Sequence, residues 1–211
     1  MPTLDQARAY YTDADPVHDF AHILRVLALA ERIGRAEGAD LEILRAAVLL
    51  HDASGSAPDG SSGRATHQLA SAEFAREVLK SENWPDERIA AVLHCIRAHR
   101  FRSAEAPRTL EAKILFDSDK LDVLGAIGAA RAAAYAALAG QPLVGEPSEK
   151  FKATGEKEPG EPHTPYHEFL FKLARVKDRM HTRSARALAE ERHQYLAAYF
   201  ERLAREVKGE A

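Results

Sequence analysis

Apolar residues recur every three to four positions along most of this 211-residue chain. That spacing buries one face of an α-helix, whereas the strict alternation of a half-buried strand is scarce here. In the segment that begins at Leu41, for example, the apolar stripe continues through Leu44 and Val48. The pattern predicts an all-α protein, a helical bundle of about seven to nine helices.

Capping residues, glycines and prolines give the expected limits of these helices. Gly38 ends one helix, Pro85 lies in the first turn of another, and Thr182 suits an N-cap. The longest predicted segment is one long or kinked helix, with Gly125 and Gly128 as its weak points. The expected helices span residues 4–11, 17–37, 41–52, 64–80, 85–99, 110–139, 165–179 and 183–207.

Two segments without helical period lie between these helices. Residues 53–63 and 141–163 are rich in polar residues, Gly and Pro, so both are expected to be loops that border the mouth of a site. The length suits one domain. We therefore expect a single domain over residues 1–211, with a core at about 15–139 and a C-terminal helical pair, 165–207, packed on it.

Composition excludes several classes of protein. The net charge of −3 gives no general attraction to a nucleic-acid polymer or an anionic membrane. Cys95 is the single cysteine, so an intrachain disulfide is excluded, which fits a reducing compartment. The N-terminus lacks the basic and apolar regions of a signal peptide, and no apolar run is long enough to span a bilayer. A cytoplasmic protein is expected.

Polar residues interrupt the apolar stripes of three helices. His22 shares the stripe of Val26 and Leu29, and His51 continues the stripe of the helix that begins at Leu41. Such a histidine, taken alone, is more often a hydrogen-bonded core residue than a ligand. Two of them on different helices are a stronger indication of a shared site.

Carboxylates also lie on an apolar helix face in the segment 110–139, where Asp119 and Asp122 share the face of Leu115. A buried carboxylate is costly unless it is paired or bound to a metal, although near a bend it can also cap a helix end. Inward histidines and carboxylates stabilise one another if they meet at a divalent cation. Mixed nitrogen and oxygen ligands suit Zn, Mn, Fe, Co or Ni, and suit Mg less well.

These residues resemble a known family. The order His…His-Asp…Asp is the signature of the HD superfamily of metal-dependent phosphohydrolases. Five segments resemble its small bacterial branch, in the right order and over roughly residues 15–200: HDFAHILRV, AAVLLHDA, AVLHCIRAHRF, TLEAKILFDSDKLDVLGAIGAAR and FLFKLARVKDRMHTRSARALAEERHQYL.

The resemblance implies one divalent metal ion and a ligand set from three helices. Asp119 is favoured over Asp117 and Asp122 because it precedes Lys120, as the ligand does in related motifs. The implied substrate is a small phosphorylated molecule, a nucleotide, cut at a phosphate ester or pyrophosphate bond by a metal-activated water. The implied ligands are His22, His51, Asp52 and Asp119.

Two departures from that branch leave the general base open. Arg100 stands where the branch usually has serine, and the loop after Asp52 lacks the acidic residues of some relatives. Asp52, His99 and His18 are the candidates for moving a proton, and Lys120 is the candidate for offsetting phosphate charge.

Other polar residues are candidates for binding substrate. His18 lies one turn before His22, and Asp122 can support a ligand. His94 and His99 are five residues apart, which separates them by about 140° on a regular helix. Of the two, His99 continues the apolar stripe and is expected to face inward.

Two further hypotheses stay open. With His67 and His94 as extra ligands, the chain would be a two-metal phosphodiesterase or oxygenase. Alternatively, the fold is a metal-stabilised regulatory module without catalysis. The sequence leaves a homodimer possible, and it does not determine the metal.

Overall fold

A computed structural model of the chain describes residues 1–11, 20–53, 67–101 and 104–211. Within those ranges there are ten α-helices and no strand, which confirms the all-α prediction. Two short 3-10 helices, Leu173–Arg175 and Lys177–Arg179, follow the ninth. The α-helices are α1 (Leu4–Arg8), α2 (Phe20–Glu37), α3 (Leu41–Leu50), α4 (His67–Ser81), α5 (Asp86–Ala98), α6 (Leu110–Leu121), α7 (Gly125–Leu138), α8 (Glu149–Thr154), α9 (Pro165–Phe171) and α10 (Arg183–Val207).

Capping side chains fix the starts of the helices. Thr182 accepts a hydrogen bond from the Ala185 amide, so the prediction that it caps α10 is confirmed. Asp40 caps α3 in the same way, through the amides of Glu42 and Ile43. These caps satisfy amides that have no partner inside their own helix.

The long or kinked helix expected over 110–139 forms two helices, bent by 64° beside one of its predicted weak points. It divides into α6 and α7 at Gly125, whose φ of 70° is a conformation that side chains disfavour. A Cβ atom on Gly128 would lie 2.2 Å from the carbonyl oxygen of Val123, so the close turn requires glycine there too.

No single helix among the described residues is long and apolar enough to cross a membrane, although α6 and α7 pass that test as a bent pair.

The segment after α7 also differs from the prediction. α8 forms inside the expected loop because Ser148 caps its start and Gly155, with a φ of 74°, ends it. The helix expected over 165–179 ends at Phe171 and continues as the two 3-10 helices. Periodicity over a short stretch does not distinguish these helix types.

The chain divides into two compact units, residues 1–119 and 120–211. In the first unit, α3 packs against α2 and α5, and Leu44, Leu50 and Ile96 are fully buried. In the second, α7 packs on α9 and α10, and the ring of Phe200 stacks 4.9 Å from that of Phe169.

Candidate metal centre

Four histidines and two aspartates of the first unit form a cluster, and most of them lie at helix ends. Their rings follow one another, with centroid distances of 5.7 Å from His22 to His51, 5.1 Å from His51 to His99 and 5.5 Å from His99 to His67. The cluster therefore draws on α2 to α6. Its members are His22, His51, Asp52, His67, His99 and Asp119.

Carboxylate oxygens lie close to the Nε2 atom of every ring in the cluster. His22 Nε2 is 3.4 Å from Asp119 Oδ1. Asp52 meets the other three rings: its Oδ2 is 3.5 Å from His51 Nε2, and its Oδ1 is 3.4 Å from His67 Nε2 and 3.5 Å from His99 Nε2. Asp52 is thus the centre of the cluster.

Two of the rings are fixed by backbone carbonyls. His51 is the C-cap of α3, and its Nδ1 lies 2.8 Å from the Val48 carbonyl oxygen. His99 is the C-cap of α5, and its Nδ1 lies 2.6 Å from the Ile96 carbonyl oxygen. A carbonyl only accepts, so both Nδ1 atoms carry a proton, and each ring presents a lone pair at Nε2 when it is neutral.

In neutral rings with this tautomer, the Nε2 atoms of His51 and His99 are hydrogen-bond acceptors, and they face the Asp52 oxygens, which are acceptors too. The buried His51 Nε2 and Asp52 Oδ1 have no hydrogen-bond partner among the described residues. Burial lowers the pKa of His51 to about 4, so this ring is neutral at pH 7. A lone pair facing a carboxylate is repulsive unless a cation lies between them.

Asp52 itself stays ionised. Burial raises its pKa, whereas the positive charge of a protonated His51 and N–H groups of His67 and His99 directed at it lower the pKa well below its usual range. Because His51 is neutral at pH 7, a cation bound beside Asp52 would supply that positive charge. The centre of the cluster is therefore a carboxylate surrounded by imidazole nitrogens, a mixed set of oxygen and nitrogen atoms that suits a divalent cation.

Two overlapping groups in the cluster could hold a metal. Asp52 belongs to both, and within each group the ligand atoms lie within 4.8 Å of one another. Asp119 extends the first group through His22. The first group is His22, His51 and Asp52, and the second is Asp52, His67 and His99.

His94 lies outside both groups. Its Nδ1 is 2.5 Å from Glu105 Oε1, and its Nε2 accepts the amide of Arg108 at 3.1 Å. Arg97 also binds Glu105, at 2.7 Å. Both nitrogens of His94 are therefore engaged in holding the segment after α5, and His99 takes the place that the two-metal hypothesis gave to His94.

The contacts of His94 lead to a prediction. His94→Ala should leave metal stoichiometry and affinity unchanged, and lower the free energy of unfolding by about 1–2 kcal/mol through the lost hydrogen bonds. Metal analysis of the purified protein and thermal unfolding measure the two effects. His99→Ala is the matched comparison and should weaken metal binding. Loss of a metal equivalent in His94→Ala would contradict this assignment.

The remaining predicted residues fall in different places. Asp122 follows α6 and is buried, with its Oδ2 2.9 Å from Arg131 Nη1 in the second unit. Lys120 is half-buried near the end of α6. His18 lies outside the described residues, as does most of the loop 53–63, so their roles stay predictions.

The loop 141–163 has its own anchor inside the second unit. Glu161 accepts hydrogen bonds from the amide and hydroxyl of Ser148, at 2.7 and 2.8 Å, and lies 2.9 Å from His167 Nε2. The position of the loop at a site mouth stays a prediction.

An all-α fold with a buried His/Asp cluster defines a class of metal-binding proteins, and comparison with known proteins narrows it. The HD domain family matches residues 19–124, which contain the entire cluster. The protein YpgQ of Bacillus subtilis (strain 168) is 34% identical over 203 residues, 94% of this chain and 88% of YpgQ. This chain belongs to the HD domain family, as its resemblance indicated.

Solved structures agree with that family. The crystal structure of YpgQ in complex with ADP has a TM-score of 0.74 at 33% identity, covering 99% of this chain and 100% of the other. An HD-superfamily hydrolase from Bacillus thuringiensis has a TM-score of 0.69 at 28% identity, covering 97% and 93%. Together, the homologues and the cluster support a metal-dependent hydrolase.

Proposed function

We propose that this protein is a metal-dependent phosphohydrolase that cuts a phosphate ester or pyrophosphate bond of a nucleotide. One observation carries the proposal: the Nε2 atoms of His51 and His99, whose Nδ1 atoms are bound to backbone carbonyls, lie 3.5 Å from the two oxygens of Asp52. When the rings are neutral this arrangement is repulsive without a cation, and with a cation it is a ligand set.

The proposed ligands of the catalytic ion are His22, His51, Asp52 and Asp119. The backbone hydrogen bond of His51 orients its ring, as the second nitrogen of a metal-bound histidine usually requires. When bound, the ion supplies hydroxide from water near neutral pH and withdraws charge from a phosphoryl oxygen. Phosphoryl transfer needs positioning and charge neutralisation, so no covalent nucleophile is required.

The chain's own groups would handle the proton. His99 Nε2 lies 3.5 Å from Asp52 Oδ1, and His99 would take a proton from the attacking water and give it to the leaving oxygen. Asp52 is the weaker base of the two because its pKa is lowered. His67 reaches the same oxygen at 3.4 Å and can donate to a phosphate.

Two arguments support a nucleotide substrate. The crystal structure of YpgQ, a relative that covers almost the entire chain, is a complex with ADP. Imidazoles and a cation in one buried cluster also suit a substrate that carries several phosphate charges.

A release assay tests the proposal. Nucleoside mono-, di- and triphosphates are incubated with the enzyme and Mn, Co, Mg, Ni or Zn, and phosphate and pyrophosphate are measured separately. Release of pyrophosphate from a triphosphate means that the bond between the α and β phosphates is cut. Release of phosphate alone means that the terminal phosphate is removed. Metal-independent turnover, or no turnover over the panel, would contradict the proposal.

The second group in the cluster favours a two-metal variant of this function. Asp52 Oδ1 meets both His67 and His99 and could be shared between two ions. In that case metal analysis gives two equivalents per chain, and His67→Ala removes one of them. A single equivalent assigns His67 and His99 to the substrate phosphate.

Lys120 is proposed to offset phosphate charge because it follows Asp119 directly. Lys120→Ala should leave the metal bound and lower kcat by about 10²-fold, the usual effect of losing one electrostatic contact to the transition state. Lys113→Ala, on the same helix, is the control and should retain full activity. Equal kcat in both variants would remove Lys120 from the mechanism.

A further inference from the structure

The last turn of α3 carries the central residues of the cluster, and each of its final carbonyls has a different donor. Carbonyls at a helix C-terminus have no partner inside the helix. Val48 accepts from His51 Nδ1, and Leu50 accepts from the Ala53 amide at 3.3 Å. Leu49 accepts from the hydroxyl of Tyr11 at 3.0 Å, from a residue 38 positions earlier in the chain.

Tyr11 also reaches the helix that carries His22. Its ring lies 5.6 Å from that of Phe20, the first residue of α2, and its side chain is only 8% exposed. A single buried side chain therefore contacts α3 two residues before His51 and α2 two residues before His22.

The hydroxyl of Tyr11 remains a donor at all ordinary pH values. Burial and the negative charge of Asp52 raise its pKa well above the usual value, and the backbone amide of Asp52 offsets this only in part.

The segment that holds Tyr11 is itself anchored to the first unit. Thr3 and Gln6 form a capping box at the start of α1. The Tyr10 ring packs 4.9 Å from Phe74 of α4, and the N-terminal ammonium pairs with Glu82. This segment precedes residue 19, where the HD family match begins.

We propose that Tyr11 is a positioning residue for the metal centre, which holds the ends of α2 and α3 so that His22, His51 and Asp52 converge. The inference rests on the proposed metal site. Without the hydroxyl, the buried carbonyl of Leu49 loses its donor, and a turn can relax to find another. Ligands displaced by a few tenths of an ångström bind a cation less tightly.

The test compares Mn²⁺ binding to the full-length wild type, Tyr11→Phe and Tyr10→Phe. Each variant keeps its ring and loses one hydroxyl, and no partner of the Tyr10 hydroxyl is found in the described part of the chain. Titration calorimetry well below each melting temperature gives the dissociation constants. We expect a rise of about three- to tenfold for Tyr11→Phe, the scale of one hydrogen bond, and no change for Tyr10→Phe.

Thermal unfolding of the metal-free variants separates positioning from general stability. Phe20→Leu removes the ring contact instead of the hydroxyl and should also weaken Mn²⁺ binding. If Tyr11→Phe binds Mn²⁺ as tightly as the wild type, the inference is wrong even if its melting temperature falls. If the wild type binds no Mn²⁺ or other divalent ion, the proposed function fails instead.

Discussion

Replacing Asp52 by alanine is expected to lower kcat for nucleotide hydrolysis by at least about 10³-fold, because the metal provides both the hydroxide and the charge that stabilises the transition state. Among the described residues, Asp52 is the carboxylate whose oxygens lie within 3.5 Å of His51, His67 and His99. Its removal therefore takes away a ligand from both possible metal groups at once. Phosphate release and metal content are the two measurements.

A stability measurement shows whether Asp52 serves binding or folding. In the metal-free protein, Asp52→Asn removes a buried charge that faces lone pairs, so its melting temperature should equal or exceed that of the wild type. Asp86→Ala, an exposed aspartate in the first turn of α5, is the control and should change neither property. An Asp52→Ala protein that binds its metal and turns over normally would refute the assignment.

Replacing Asp122 by alanine is expected to lower the free energy of unfolding by about 3–5 kcal/mol. Asp122 is 1% exposed and its partner Arg131 is 11% exposed, so the substitution leaves a buried cation without its carboxylate. Chemical denaturation measures the loss. Asp178→Ala, an exposed aspartate of the same unit, is the control and should have almost no effect.

A second substitution distinguishes the ion pair from the predicted role in substrate binding. Adding Arg131→Met to Asp122→Ala removes both charges and should restore part of the stability. If Asp122 instead binds substrate, Asp122→Ala raises KM while the protein unfolds at the denaturant concentration of the wild type. That result would contradict the structural role.

The sequence predicted the helices because periodicity is a local property. It also pointed to inward histidines on α2 and α3, since His22 and His51 continue apolar stripes. It marked Gly125 and Gly128 as weak points of a long or kinked helix, but it did not give the ends of α6 and α7, which depend on a glycine with positive φ and a close backbone approach. Those features depend on conformations that hydrophobic spacing does not encode.

Contacts at the helix ends were also beyond the sequence. His99 points to Asp52 because it caps α5 and bonds back to Ile96, an arrangement that a regular helical projection does not contain. Tyr11 binds a backbone carbonyl, and any residue at position 49 would present one. The type of residue at a position therefore does not indicate which side chain will bind its backbone carbonyl.

A divalent cation is expected to bind in the first unit at the cluster centred on Asp52. Anomalous diffraction from crystals soaked in Mn²⁺ detects such an ion. We expect a peak with the donor atoms of His22, His51, Asp52 and Asp119 within about 2.0–2.4 Å. Crystals that show no peak at this cluster, or a peak only at other residues, would contradict it.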